Sequence, residues 1–378
     1  MFMRTFAMAV SKKFRPIIKE TAQSREAIHG RGASWSPANR FEKLHIDLND
    51  LDVVDHDPDE DGPSGRQTQY FRDASQSIIT RNNSPDVGFE TSLNPYRGCE
   101  HGCIYCYARP THEYLGFSAG LDFESKIMVK TDAPRLLRAE LESPRWEPQT
   151  LVMSGVTDPY QPVERKLRIT RGCLEVLAQY RNPVAIITKN RLVTRDVDLL
   201  SQLASHRAAA VNISVTSLDP KLQRVLEPRT SSPEARLDAI RQLRAADIPT
   251  GVMVAPIIPG LTDHEVPRIV AAAANAGAQF AGYTIVRLPW AVAPLFEHWL
   301  GEHFPERKEK VLGRIRDIRG NGKLNNSQFH KRITGEGILA EQIGSMFEIA
   351  CRRNGIGERP KLSTKGFRRS IEQMRLFA

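Results

Sequence analysis

The hydrophobic pattern changes character along the chain. From Thr91 onward, short apolar runs alternate with amphipathic stretches of helical period, as expected for strands joined by helical crossovers in a parallel sheet. Strands are expected over 88–93, 150–153, 184–188, 210–216, 251–255 and 280–286. Helices are expected over 132–142, 169–180, 192–205, 233–247 and 262–276; the fourth has Ser232 as N-cap and Pro233 at its first position. Six strands with right-handed crossovers make a curved sheet or an incomplete barrel, a partial (β/α)6 barrel of α/β class. Parallel strands present their loops at their carboxyl ends, so the chemistry should gather on one rim.

On either side of this core, over 84–300, the pattern weakens. Residues 1–80 read as an N-terminal arm, mobile or docked, with turns at Gly30-Arg-Gly-Ala and Trp35-Ser-Pro-Ala-Asn. Its acidic run over 47–61 buries too little apolar area to offset its ordering entropy. Arg40, Phe41 and Glu42 could pack over the core or its substrate opening. Residues 301–378 read as a helical extension capping the open side of the barrel. Within it, 305–319 is basic and amphipathic, and 337–354 carries Ile338, Leu339, Ile343, Phe347 and Ile349 at roughly helical intervals. The tail over 361–378 could bind a partner or nothing.

Composition adds bounds. A hydrophobic content of 40% in 378 residues suffices for one large core domain plus extensions. No run of 18 apolar residues occurs, so no transmembrane helix is expected. The opening MFMRTFAMAVSKKFRP is a weak leader, its apolar part broken by Arg4. Net charge is +9, from 53 basic and 44 acidic residues, which permits a polyanionic partner without establishing one. Five cysteines are too few and too odd for a disulfide framework, so reduced thiols and a cytoplasmic location are expected; a monomer is also expected.

Three of those cysteines, Cys99, Cys103 and Cys106, fall at C-x3-C-x2-C spacing within Asn94-Pro-Tyr-Arg-Gly-Cys-Glu-His-Gly-Cys-Ile-Tyr-Cys-Tyr-Ala-Arg109. One short loop can thus offer three thiolates to an iron–sulfur cluster, while full cysteinyl ligation takes four. Cys173 and Cys351 are distant in sequence, so one iron would keep an open position for chemistry. Structural zinc, with His101 or His112 as fourth ligand, is the competing reading. It is disfavoured because no second C-x2-C knuckle exists.

The triad, with Tyr105 before its last cysteine, resembles the signature of the radical S-adenosylmethionine (SAM) enzymes. The longer string NPYRGCEHGCIYCYARPTHEYLG resembles the branch containing spore photoproduct lyase and its bacterial relatives, often labelled DNA repair photolyases. The arm string RGASWSPANRFE resembles a motif of those relatives, and the similarity spans roughly Ser84 to Gly355. The resemblance implies a partial barrel, a 4Fe–4S cluster on the triad, S-adenosyl-L-methionine as cofactor and an electron donor such as flavodoxin or ferredoxin. It also implies a 5′-deoxyadenosyl radical that takes hydrogen from a substrate, possibly a nucleic acid. The alternative is a zinc- or cluster-stabilised nucleic-acid-binding protein without radical turnover.

The same resemblance distributes roles along the rim. Tyr105 would lie near the adenine, whereas Tyr107 reads rather as a packing aromatic. Ser154 and Gly155 occupy the place of a Gly-Gly-Glu motif for the methionyl amino group; its glutamate is missing here, so Thr157 or Asp158 would substitute. Asp158 could equally start a turn before Pro159, and Glu164 could serve as a carboxylate or sit at a solvated helix start. Lys189 ends a strand and could meet a carboxylate, a phosphate or only water. Asn212, Ser214 and Thr216 share one strand face, with Ser214 implied as a cofactor contact. Arg229 resembles the candidate for the methionyl carboxylate, and the segment after 255 resembles the one beside adenine. Spore photoproduct lyase uses a cysteine donor downstream of the triad. None lies between Cys106 and Cys173 here, so dimer repair by that route is doubtful and Tyr283 stands as a speculative hydrogen donor.

Overall fold

The computed structural model describes residues 28, 30–41, 53–56, 67–320 and 322–369. Eleven strands follow in order: β1 (Val53–His56), β2 (Gln69–Arg72), β3 (Ile79–Arg81), β4 (Thr91–Leu93), β5 (Tyr96–Arg97), β6 (Lys126–Val129), β7 (Leu151–Met153), β8 (Val184–Thr188), β9 (Ala209–Ser214), β10 (Thr250–Ile257) and β11 (Phe280–Ile285). The main sheet has the order β11-β10-β9-β8-β7-β4-β3, parallel throughout except for β3, which pairs antiparallel with β4. The six parallel strands are those expected of the partial barrel, β8 with the expected bounds and the other five shifted by up to a few residues at an end. A smaller sheet, β1-β2-β6-β5, packs beside it, and β1 lies inside the acidic run judged too polar to order.

Period-two alternation builds the core. In β9, Val211 and Ile213 join the apolar layer beneath the outer helices, while Ala210, Asn212 and Ser214 take the inner face. In β8, Val184 and Ile186 face the helices and Ala185 the interior. The inner face is small-residued, since Ala185, Ala210, Gly251 and Gly282 recur there. A Cβ on Gly251 would sit 2.4 Å from the Phe280 ring, so only glycine admits that ring. Burying each large aliphatic of the outer layer contributes about 1.5–3 kcal/mol.

The helices Ile169–Tyr180 and Pro233–Ala245 form as expected, the second with the Ser232 hydroxyl accepting from the Ala235 amide at 3.2 Å. The stretches expected at 192–205 and 262–276 instead begin as 3-10 turns, Arg191–Asp196 and Asp263–Glu265, before becoming α-helical.

The two edges, β11 and β3, leave the barrel open, and the C-terminal region closes it differently from expectation. The helix Ile338–Arg353 buries Ala340, Ile343, Phe347 and Ala350 against the outer layer, leaving Ile338 and Ile349 exposed. It covers the outside of the wall, because its apolar stripe is narrower than the spacing suggested. The open side is crossed by residues 322–334. Their Arg332 forms a bidentate pair with Asp86, in the hairpin loop between β3 and β4, at 2.8 and 2.6 Å. At the other edge, buried Arg319 donates to the carbonyls of Ile285, Val286, Lys331 and Arg332, tying this segment to the end of β11.

Residues beyond the helix pair once with β11, through Gly357 and Phe280, and then run beneath the barrel. The Ser363 amide donates to Arg207, the Arg368 amide to Tyr180, and the Arg369 side chain to Ser143 and Trp146. The described part of the tail therefore binds its own barrel. Among the described residues no helix is long and apolar enough to cross a membrane.

The Arg332 guanidinium and the His330 amide hold the Asp86 carboxyl down at about 2, against an ordinary 3.8, despite the opposing effect of burial. A depressed carboxyl stabilises fully above its ordinary value, and the contribution is lost as pH falls through about 2. Arg332→Ala should return Asp86 toward 3.8, read as a carboxyl titration by NMR, and should loosen residues 322–334 in hydrogen exchange.

Candidate active site

The cysteine loop leaves β4 at the carboxyl rim. Gly98 and Gly102 adopt φ of 79° and 65°, the left-handed region that glycine enters without penalty. A Cβ on Gly98 would press within 3.0 Å of the His112 ring, Ile127 and the Phe123 carbonyl. Between these turns the Cys99 amide donates to Phe123 at 2.9 Å, and the Ile104 amide to Leu226 at 3.2 Å. Arg109, fully buried, gathers the loop's carbonyls: it donates to Cys103 at 3.0 Å, Gly102 at 3.1 Å and Gly120 at 3.0 Å, and pairs with buried Glu124.

Cys99, Cys103 and Cys106 are free thiols, two buried and the third half-buried. Burial pushes all three up, and the charges of Asp158, Cys103 and Cys106 raise Cys99 further. The three sulfurs therefore lie within one another's field, and they ionise together only if a cation replaces their protons. An all-sulfur donor set fits iron–sulfur chemistry. Among the described residues no three His, Cys, Asp or Glu side chains meet at a single-ion site. Three cysteines on separate corners of a cubane need not meet. His101 instead faces Asp158 at 3.4 Å and Asn190 at 3.3 Å, and His112 Nε2 lies 2.9 Å from the Lys126 carbonyl. Among the described residues neither histidine completes a single-ion site with the cysteines, and His112 Nδ1 is buried without a partner.

The arm docks on this loop. The Gly32 and Ala33 amides each donate to Glu124 at 3.0 Å, and Arg31 donates to the Glu124 carbonyl at 2.9 Å and to Thr68 at 3.0 Å. A Cβ on Gly32 would lie 1.7 Å from the Gly102 carbonyl oxygen, so arm and loop meet backbone to backbone. Arg40 pairs with buried Glu113 at 2.6 Å and lies over the Trp290 ring at 4.3 Å, while Phe41 rests on Tyr114. Glu42 lies outside the described residues.

Several expected rim residues converge. Lys189, at the end of β8, reaches the Ala255 carbonyl at 2.8 Å, Thr216 at 3.2 Å and Glu227 at 3.3 Å. Glu227 is the hub: it also accepts from the Tyr105 hydroxyl and from Thr216 at 2.6 Å, and pairs with Arg236. Burial would raise its carboxyl, but Arg236, Lys189 and the two hydroxyls outweigh burial and hold it well below the usual range. Arg236 also grips the Ser214 carbonyl at 3.0 Å. Glu227, Arg236, Arg109 and Glu124 were missed, because nothing local in the sequence marks a charge for burial.

Ser154 and Gly155, ending β7, hold successive φ of 143° and 111°; this turns their backbone out at the rim. The Tyr107 hydroxyl donates to the Gly155 carbonyl. Thr157 braces the loop, its hydroxyl donating to the Tyr96 carbonyl at 3.1 Å. Asp158 makes the turn, accepting from Tyr160 at 2.8 Å, and also accepts from Thr188 at 2.7 Å and the Lys189 amide at 2.8 Å. Burial pushes its carboxyl up, but His101 and these donors hold it below the usual range. Glu164 is a buried helix cap, accepting from the Thr170 amide at 3.0 Å and pairing with Arg195 at 2.7 Å. Ser214 is buried on the inner face, and beside it Asn212 has no partner for either amide atom among the described residues.

Two expected residues stand elsewhere. Arg229 turns away from the rim hub, donating to Thr68 at 3.2 Å and lying 3.6 Å from Glu100. Tyr283 packs on the outer face, its ring 4.7 Å from Phe347 and its hydroxyl beside Gly344. Strand alternation sends it to the helices rather than the interior.

A family model described as the radical SAM superfamily matches residues 93–273, the span from the end of β4 through the helix after β10. An uncharacterised Mycobacterium tuberculosis protein is 37% identical over 244 residues, covering 64% of this chain and 70% of that one. The chain belongs to the radical SAM superfamily. A Pseudomonas phage M6 protein named radical SAM Nalpha-GlyT isomerase is 23% identical over 373 residues, 95% of this chain and 75% of that one. In fold, the chain resembles spore photoproduct lyase complexed with dinucleoside spore photoproduct, with a TM-score of 0.53 at 15% identity over 76% of this chain and 80% of that one.

Membership makes this radical SAM protein an enzyme and implies a cluster and S-adenosylmethionine, for which the thiol loop and the hydrogen-bonding rim are suited. Removing the Glu227 charge would leave Arg236 and Lys189 facing each other without a buried counter-ion. Glu227→Gln should cost about 3–5 kcal/mol in urea unfolding.

Proposed function

We propose that Cys99, Cys103 and Cys106 hold a 4Fe–4S cluster whose fourth iron binds S-adenosylmethionine, and that the resulting radical abstracts hydrogen from a nucleic-acid substrate. The observation carrying this reading is the three-thiol loop itself: Cys103 and Cys106 act on Cys99 through their charges, no fourth cysteine is near in sequence, and among the described residues no histidine completes a single-ion site with the three. When bound, the cluster supplies the electron that splits the cofactor into methionine and a 5′-deoxyadenosyl radical.

The chain's own residues would orient and shield. The half-buried turn at Ser154 and Gly155 suits the methionyl amino group, helped by the nearby Thr157 and Asp158. Lys189 offers a cation beside Tyr105, and the buried polar groups Ser214 and Asn212 suit ribose or substrate atoms. Arg229 holds Glu100 and so would act on the methionyl carboxylate only through the loop. The docked arm and Arg109 would exclude water from the loop's outer side.

Support for a nucleic-acid substrate comes from the dinucleoside in the spore photoproduct lyase complex, together with the net charge of +9. We further propose a flavodoxin- or ferredoxin-type electron donor, a monomeric state and a cytoplasmic location, where free thiols stay reduced.

Anaerobically reconstituted, reduced protein should convert S-adenosylmethionine to 5′-deoxyadenosine, and Cys106→Ala should lose this by at least about a thousandfold, as when a group acting as part of a unit is removed. Zinc in place of iron after iron-replete reconstitution would sink the proposal.

A further inference from the structure

Beside the last cysteine, the barrel mouth carries a group of basic and aromatic side chains. Tyr107 follows Cys106 directly and is 45% exposed, its hydroxyl fixed to the Gly155 carbonyl. The Arg287 guanidinium, just beyond β11, lies over the Tyr107 ring at 4.4 Å. Among the described residues Arg287 forms no hydrogen bond or ion pair, unusual for a side chain with five donors. Arg332 lies near it and is already paired with Asp86, while also facing the 50%-exposed Phe329 ring at 4.9 Å. Arg319 stands behind, buried, donating only to carbonyls. Three guanidiniums thus stand near one carboxylate: Arg332 is paired with it, Arg319 is satisfied by carbonyls, and Arg287, at the opening, has neither.

This arrangement is costly unless something else completes it. Two like charges close together disfavour each other, and burial together with Arg332 depresses the affinity of Arg287 for its proton. A guanidinium presents a planar fork matched to phosphate oxygens, and exposed aromatic rings beside it offer faces for bases. An acidic peptide would use the cations but would leave the two rings idle.

We propose that Arg287, Tyr107 and Phe329 form a nucleotide subsite at the barrel mouth, with Arg287 taking a backbone phosphate and the rings stacking bases of a single-stranded or unpaired segment. This inference rests on the nucleic-acid reading above. It places the substrate chain across residues 322–334, beside the cluster loop, so that the strap closing the barrel also forms one wall of the subsite.

The test is fluorescence anisotropy on cluster-loaded protein with a short fluorescein-labelled oligothymidylate, over a series of salt concentrations. Arg287→Gln should weaken binding about tenfold and flatten the slope of log affinity against log salt by about 0.7, the loss of one single-strand phosphate contact. Phe329→Ala should weaken binding about tenfold with the slope unchanged, as expected for lost stacking. Iron content and cluster absorbance, measured on each variant, confirm that the cysteine loop is intact. An unchanged slope in Arg287→Gln overturns the proposal. So does wild-type binding no tighter than that of a labelled polyglutamate peptide. Arg287→Gln that weakens S-adenosylmethionine binding but not oligothymidylate binding assigns Arg287 to the cofactor instead, and likewise overturns it. Oligothymidylate binding does not depend on cofactor cleavage. Its absence in the unmutated protein therefore speaks against the subsite, while a failure to form 5′-deoxyadenosine speaks against the radical reading.

Discussion

To hold a cluster, three thiols on one loop, two buried and one half-buried, must become anions together, and the surrounding structure is arranged about that constraint. Burial holds the protons on Cys99, Cys103 and Cys106, and the charges of the other two thiols add to it at Cys99, so a bound cluster would supply the cation that replaces them. A loop that presents sulfurs to such a core cannot also spend its backbone on them. Its carbonyls are gathered by Arg109, whose charge is matched by Glu124, and Glu124 is in turn satisfied by the amides of Gly32 and Ala33. Cluster loop, buried ion pair and arm therefore form one hydrogen-bonded unit, in which removing any part leaves a buried polar group unpaired.

The rim repeats this arrangement with opposite emphasis. Glu227 binds Arg236, Lys189, Thr216 and Tyr105, so residues from β8, β9 and the cysteine loop are fixed by one carboxylate. Such a hub costs desolvation and returns position: Tyr105 and Lys189 cannot move independently. Positioning of this kind is what radical chemistry asks of a protein, since the cofactor supplies the reactive species and the scaffold decides what it meets. The open barrel serves the same end. Its mouth is bridged by residues 322–334, through Asp86 at one edge and Arg319 at the other.

Much of this was legible in sequence where the signal is local and periodic. The alternation of apolar runs gave the six parallel strands, and the cysteine spacing gave the loop. What escaped depends on contacts between distant residues. Arg109 and Glu124 look like surface charges until the fold encloses them, and the acidic run around β1 looks unfit to order until β2 offers a partner. Tyr283 shows the limit of a chemical guess, because a tyrosine on a barrel strand can donate hydrogen only from the inner face, and strand register puts it outside. Ile338 and Ile349 fit a helical stripe in spacing yet lie beyond the strip that the wall covers.

The central claim is that this loop holds a cluster with one iron open to the cofactor. Electron paramagnetic resonance of the anaerobically reduced protein, recorded before and after adding S-adenosylmethionine, tests it most directly. The account predicts a reduced 4Fe–4S signal whose g values shift when the cofactor is added, since the cofactor binds the iron that no cysteine occupies. A full-intensity cluster signal left unchanged by saturating cofactor would contradict it.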